Sequence, residues 1–242
     1  MRIKVLGICA SPRKQGNSEY LLSEALEAAR AAAPDIVETE LYSLAGKQYK
    51  GCLMCLKCME AEGECVHKDG HSELRDKWIE ADVILYSVPV YHMGIPGNLK
   101  NFLDRLGNSL ACRYFPIFPR QMKVVGTIAQ GDCWFSGQEN AITQIVNSAM
   151  VMGCIPVSGD QPECYIGAGG STDRVLDTDA LHKQVQEEKP VALWTLRGAR
   201  SLGRRAVETC ILLKAGAAAS RARFGQDEMY SPLFARTEPD LA

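Results

Sequence analysis

Four short apolar runs punctuate the chain at Ile3 to Cys9, Ala81 to Val90, Met122 to Gln130 and Cys154 to Gly159. Each of the first three ends in a polar or glycine-rich loop that opens onto helical periodicity. Asp35 to Leu44 alternates as a further strand, through Val37, Thr39 and Leu41. Strands separated by helices of this length pair in parallel, with right-handed crossovers and helices on both faces, so the pattern predicts an α/β fold. With 242 residues, 46% hydrophobic and 23% charged, the chain can bury a core as one main domain plus an extension. In such sheets a ligand binds outside the strand carboxyl ends where strand order reverses, so the loops after Cys9, Ser87 and Ile128 should converge on one site.

The first loop, Ser11-Pro12-Arg13-Lys14-Gln15-Gly16-Asn17-Ser18, precedes a helix patterned by Tyr20, Leu21, Leu22, Ala25, Leu26 and Ala29. The unpaired N–H groups and positive dipole end at such a junction make a phosphate cradle. Asn17 or Ser18 is expected to cap the helix, and Arg13 to add a charged fork. Gly7 and Gly16 are too far apart for Gly-x-Gly-x-x-Gly, and no Gly-Lys-Ser/Thr follows, which argues against a diphosphate or triphosphate. A polar turn without ligand is the plainer alternative for this loop alone. The second loop, Tyr91 to Gly97 following Pro89, is shaped by Pro89, Pro96 and two glycines and leads into a helix over Asn98 to Leu106. The third, Gly131 to Gly137, leads into a helix ending near Met152. One phosphate at the first loop and a planar ring held by the other two is the geometry of FMN.

Between the second strand and Ala81 lie Cys52, Cys55, Cys58 and Cys65, spaced Cys-x-x-Cys-x-x-Cys-x6-Cys. Three contiguous intervals of three on an irregular loop, joined by a fourth thiolate, suit a [4Fe–4S] cluster. Zinc more often takes two knuckles with a longer spacer, and disulfides or inert thiols are the remaining readings. His67 and His71 follow the run, but four cysteines already saturate a cubane, so both are read as loop residues. Cys9, Cys112, Cys133, Cys154, Cys164 and Cys210 stand singly and read as small buried hydrophobes, with Cys133 the one to watch. His92 is weighed as a general acid against a structural hydrogen-bonding role, the latter favoured. No Ser-His-Asp or paired-carboxylate arrangement points to hydrolysis. Met1 to Leu6 is too brief for a secretory signal, and no segment approaches the roughly 18 apolar residues of a membrane span. A cytoplasmic location, where thiols stay reduced, is therefore expected. The charge of -2 and pI near 6.1 supply no broad basic surface for nucleic acid or anionic lipid. Arg197, Arg200, Arg204 and Arg205 read as a solvated helix face.

Ser11-Pro12-Arg13 with Gly16-Asn17-Ser18, then Pro89-Val90-Tyr91 and Pro96 to Arg105, resemble the flavodoxin-like NADPH-dependent FMN reductase family; the cysteine run narrows the resemblance to its iron-sulfur flavoprotein branch. It covers about residues 1–160. The resemblance implies a doubly wound five-stranded parallel sheet, order 2-1-3-4-5, with the cysteine loop (45–72) inserted after strand 2. It implies that Ser11, Arg13, Asn17 and Ser18 hold the FMN phosphate and that Pro89, Val90, Tyr91 and His92 lie along the isoalloxazine edge. Gln130, Gly131, Asp132, Ser136 and Gly137 would form the third loop, although Trp134 and Phe135 are bulkier than a plain glycine turn. The implied activity is a flavin-dependent oxidoreductase passing electrons between NAD(P)H or a ferredoxin-type donor and a small acceptor such as a quinone, a flavin or an oxygen species. Homodimers or homotetramers are implied, with the cluster of one subunit approaching the flavin of another. A biosynthetic flavin dehydrogenase acting on a ring-containing metabolite, and a zinc-stabilised binding module without turnover, are the alternatives.

Residues 161–242 are expected to form a helical extension. Gly167 to Ser171 reads as a flexible loop, and Asp179 onward as helix interrupted near Pro190 and continuing to about Lys214. Val191, Leu193, Trp194, Leu196, Leu202, Ala206 and Val207 suit packing against the domain or a partner subunit. The tail from Gly225 is read as loose or draped on a neighbour.

Overall fold

The chain opens with β1 (Ile3–Cys9), α1 (Asn17–Ala32) and β2 (Val37–Ser43), then crosses the cysteine segment, whose only helical turn is α2 (Lys57–Glu60). It continues through α3 (His71–Glu80), β3 (Val83–Pro89), α4 (Gly97–Arg113), β4 (Val124–Gly131), α5 (Gln138–Val151) and β5 (Ile155–Pro156). The last elements are β6 (Ala168–Ser171), α6 (Ala180–Gln186), α7 (Pro190–Phe224) and α8 (Ser231–Ala235). The computed structural model describes residues 1–160 and 162–237.

All strand pairs are parallel, in the order β2-β1-β3-β4-β5, so the switch point falls between β1 and β3. Every residue of the central strands β3 and β4 is buried, whereas edge strand β2 buries only Val37 and Tyr42. Successive side chains take opposite faces. Ile84, Tyr86 and Val88 therefore join one core layer with Phe102 and Leu106 of α4 and Ile142 and Ile145 of α5. Val83 and Leu85 join the other with Leu21 and Leu22 of α1 and Leu202 and Val207 of α7.

Three sequence expectations change here. The fifth strand does not run over Cys154 to Gly159; only Ile155–Pro156 pairs with β4. The carboxyl half of that β4 edge is covered instead by β6, where a flexible loop was expected. A glycine-rich segment has low strand propensity, but the exposed β4 edge supplies its hydrogen bonds and Thr195 of α7 packs against Gly170. The tail is also not loose: Leu233 and Phe234 of α8 are buried beside Ala217 of α7, because these apolar side chains leave water only there. The expectation for residues 238–242 lies outside the described residues.

Helix α7 begins at Pro190, which is tolerated in a first turn, and runs ten residues past Lys214. It crosses α1 so closely that a Cβ on Gly203 would sit 2.0 Å from the Ala25 carbonyl oxygen. Because that obstacle is backbone, Gly203→Ala must push the helices apart. The expected loss is at least about 2 kcal/mol, read as a lower urea midpoint at unchanged slope.

Candidate functional site

Gly16, which has no side chain to offer, is the N-cap of α1, and no side-chain hydrogen bond closes the helix end. This corrects the expectation that Asn17 or Ser18 caps it. The first N–H groups of α1 are thus left to an incoming anion, beside the buried Ser11 and Ser18. The Ser11 hydroxyl accepts from the Arg13 N–H at 3.1 Å, and the Ser87 hydroxyl donates to the Ser18 carbonyl at 2.7 Å. Phosphate fits this loop.

Residues 172–181 form a strap that sequence reasoning did not identify. It leaves β6 bonded to the third loop, through Thr172 N–H to the Gly131 carbonyl and Arg174 N–H to the Asp132 carbonyl. It then crosses to the first loop, where the Arg13 guanidinium donates to the Leu176 carbonyl at 3.3 Å. Both ends of the Asn17 amide are engaged there, donating to the Asp177 carbonyl at 3.1 Å and accepting from Leu181 N–H at 2.9 Å. Asn17 therefore pins the strap.

The second loop leaves β3 with Val90 N–H on the Gln130 carbonyl at 2.8 Å and turns tightly, Tyr91 and Gly94 exchanging backbone hydrogen bonds. His92 and Met93 hold left-handed φ values of 45° and 67°, with Tyr91 and His92 exposed at the turn. Asn140 of α5 donates to the Met93 carbonyl at 2.7 Å, tying this loop to the third. In the third loop Gln130 and Gly131 are buried, Asp132 is exposed, and Gly137 starts α5 at φ 101°. Ser136 donates to the Cys133 carbonyl at 2.6 Å. Phe135 projects fully into solvent at φ 62°. It, Trp134 and Tyr165 border a cavity of about 370 Å³ with Glu139, Asn140 and Ile142. The three loops are joined by hydrogen bonds, as the switch-point argument requires.

Cys52, Cys55, Cys58 and Cys65 line a single pocket with His67, Arg105, Asn108 and Ser109. Left-handed residues at Met54 and Leu56 wrap the chain around it. The Met54 N–H and the Asn108 amide each donate to Cys52 Sγ at 3.4 Å. Among the described residues no three ligands are gathered around a point that would hold one metal ion. The Arg105 Nε and His67 Nε2 atoms are buried there without hydrogen-bond partners. Donors aimed at sulfur and a buried cation suit a sulfur-rich anionic group, so a cluster fits the residues present. Burial and the neighbouring Cys112 thiol push the Cys58 thiol up to about 11, so binding metal there must release a proton.

One face of α4 carries this loop. Asn98 accepts from Tyr49 N–H at 2.7 Å and donates to the Lys47 carbonyl, and Asn101 donates to the Tyr49 carbonyl at 2.8 Å. Arg105 donates to the Lys50 and His67 carbonyls and to Asp69 at 2.6 Å, gripping both ends of the cysteine segment. The sequence held a signal for this: 98, 101, 105, 108 and 112 recur at three- and four-residue steps, a single helical face. His71, read as a loop residue, is instead buried at the start of α3 and its basicity is lowered to about 4 by burial and by Arg105. Burial raises the Asp69 carboxyl, but the Arg105 guanidinium and the Lys50 and His71 N–H groups outweigh it and leave it at about 2, against an ordinary 3.8. A carboxyl depressed by folding stabilises the protein above its unfolded value and loses that contribution as pH falls toward the folded one. The stability gap between wild type and Asp69→Asn should therefore be constant above about pH 5 and close between about pH 4 and pH 2 in denaturant titrations.

Of the residues expected to pack against the domain or a partner subunit, Leu202, Ala206 and Val207 are buried in the core layer shared with α1, Leu196 is buried, and Trp194 is 48% exposed. No described helix is long and apolar enough to cross a membrane.

A profile for NADPH-dependent FMN reductase matches residues 3–165. An iron-sulfur flavoprotein of Methanocaldococcus jannaschii is 35% identical over 212 residues, covering 88% of this chain and 100% of that protein. One of Archaeoglobus fulgidus is 34% identical over 164 residues, covering 68% and 80%. Among solved structures, an azoreductase from Bacillus anthracis shares the fold at a TM-score of 0.59 and 16% identity, covering 84% of this chain and 99% of that one. The matched span includes all three polar loops and the cysteine segment: the chain belongs to the NADPH-dependent FMN reductase family, in its iron-sulfur flavoprotein branch, and is a flavin-dependent oxidoreductase.

Proposed function

We propose that the protein uses FMN and a [4Fe–4S] cluster to pass electrons between NAD(P)H or a ferredoxin-type donor and a small acceptor such as a quinone, a flavin or an oxygen species. The observation that carries this reading is α4, which opens at the ring loop and bears the cysteine pocket about three turns along the same rigid rod. Flavin supplies two-electron chemistry and the cluster one-electron chemistry, so the pair splits hydride equivalents into single electrons.

Ser11, Arg13, Ser18 and the α1 amides hold the phosphate, with Asn17 beside them as the pin of the strap. Pro89, Val90, Tyr91 and His92 border one side of the ring, and Gln130, Gly131, Asp132, Ser136 and Gly137 the other. Cys52, Cys55, Cys58 and Cys65 ligate the cluster, and Arg105 and Asn108 donate toward its sulfurs. The cavity beside Trp134 is of a size to admit a small planar acceptor. Exposed Leu53, Met54, Leu56 and Val66 around the cysteines are apolar surface suited to burial against a second copy of the chain, as a homodimer or homotetramer. A cytoplasmic location completes the proposal.

Oxygen-free protein should contain one FMN and about four iron and four sulfide per chain, and NADPH should bleach its flavin rapidly. Zinc without sulfide would overturn the relay. Reduction by an organic ring substrate but by neither NADPH nor ferredoxin would replace it with the dehydrogenase reading.

A further inference from the structure

Cys112, read from sequence as one of the solitary buried thiols, lies in the last turn of α4 with its Sγ 3.3 Å from the Sγ of Cys58. We propose that Cys112 is the disulfide partner of Cys58, closing a bond under peroxide whenever Cys58 is not ligating metal and thereby locking the cluster site shut.

Packed backbone sets the contact. Gly63 N–H closes the turn that starts at Cys58, donating to its carbonyl at 2.8 Å. The Gly63 carbonyl accepts from Ser109 of α4 and from Arg75. Gly63 lies so near α4 that a Cβ there would stand 2.9 Å from the Ser109 carbonyl oxygen. Cys112 follows three residues later on that helix, so the Cys58 turn cannot leave it without breaking this seam. A sulfur–sulfur bond of about 2.05 Å needs an approach of only about 1.3 Å, within the reach of side-chain rotation. Cys52, by contrast, is engaged by Met54 and Asn108.

The chemistry balances with a peroxide as oxidant. One thiol of the pair attacks a peroxide oxygen as its thiolate, the O–O bond breaks, one water leaves and a sulfenic acid remains. The sulfur of the other thiol then attacks that sulfenic sulfur and expels the second water. Two thiols and one hydrogen peroxide give one disulfide and two waters. Bond closure intercepts the sulfenic stage before irreversible sulfinic acid forms, and a dithiol reductant reverses it by exchange. The consequence for cluster rebuilding rests on the four-cysteine reading; the bond itself does not.

To test it, full-length protein freed of iron by anaerobic chelation is treated with one equivalent of hydrogen peroxide and digested by trypsin without reductant. Cleavage at the lysines and arginines of the sequence places Cys58 in peptide 58–68 and Cys112 in peptide 106–113. The two should appear joined, with fragmentation assigning the bond to Cys58. The link should be absent from Cys112→Ser, from Cys112→Ala, and from protein exposed to peroxide while still carrying its iron. After dithiothreitol, wild type should regain iron about fivefold better than either variant. A bond assigned to Cys65, or variants that recover as well as wild type, would overturn the proposal. Failure of untreated wild type to bind iron would instead sink the cluster reading, while the mass of the linked peptides still decides the disulfide.

Discussion

Cys65→Ser is expected to strip the protein of iron and acid-labile sulfide, to below about a tenth of wild type, while FMN stays bound at one per chain. A serine hydroxyl holds its proton at neutral pH and is a harder ligand than thiolate, so a cubane loses one of four anchors. Fold and flavin loops should be spared, because Cys65 is half-exposed on a segment whose ligating residues belong to neither core layer. Arg105 sharpens the effect: its buried guanidinium lines the same pocket as Cys65, and the hydroxyl would leave its charge facing a neutral group. Iron and sulfide assays beside the flavin spectrum decide the matter. Wild-type iron in the variant would remove Cys65 from the ligand set.

Asp82→Ala should cost about 3–5 kcal/mol and lower Tm by roughly 10 °C without changing FMN affinity. This carboxylate is 6% exposed beneath the amino ends of the strands. It accepts from Lys214 Nζ at 2.8 Å, from Arg236 Nε at 3.3 Å and from the Lys4 N–H at 3.1 Å. Removing it leaves the buried Lys214 and the largely buried Arg236 with backbone carbonyls but no carboxylate, the expensive way to break an ion pair. Since Lys214 lies on α7 and Arg236 just beyond α8, the same change unties the carboxyl-terminal helices from the sheet. The flavin loops sit at the opposite strand ends, so calorimetry and FMN titration should separate cleanly; an unchanged Tm would contradict the assignment of Asp82 as the anchor.

The parallel sheet was readable because β1, β3 and β4 are mainly apolar runs buried on both faces, Lys4 excepted, a pattern set by local residue order. The three polar loops at their carboxyl ends followed from the same runs. β6 was not readable: Ala168-Gly169-Gly170-Ser171 carries no strand propensity, and its pairing comes from the unsatisfied β4 edge. The strap was equally hidden, since its contacts join residues more than 150 positions apart through backbone carbonyls that no side-chain pattern marks. Cys112 was misjudged for a related reason. Its neighbours in sequence are unremarkable, and only the helical face it shares with Arg105 and Asn108 brings it to the cysteine loop.

By itself the order of residues determined the alternation of strand and helix, the close-spaced run of four cysteines and the polar turns, because each is written in local spacing that a window of a few residues contains. Tertiary packing alone decided that Asn17 pins a distant strap, that Arg105 clamps both ends of the cysteine segment, and that Cys58 faces Cys112. Those contacts depend on which backbone groups remain unpaired once the sheet and α4 are in place, and that is a property of the assembled fold.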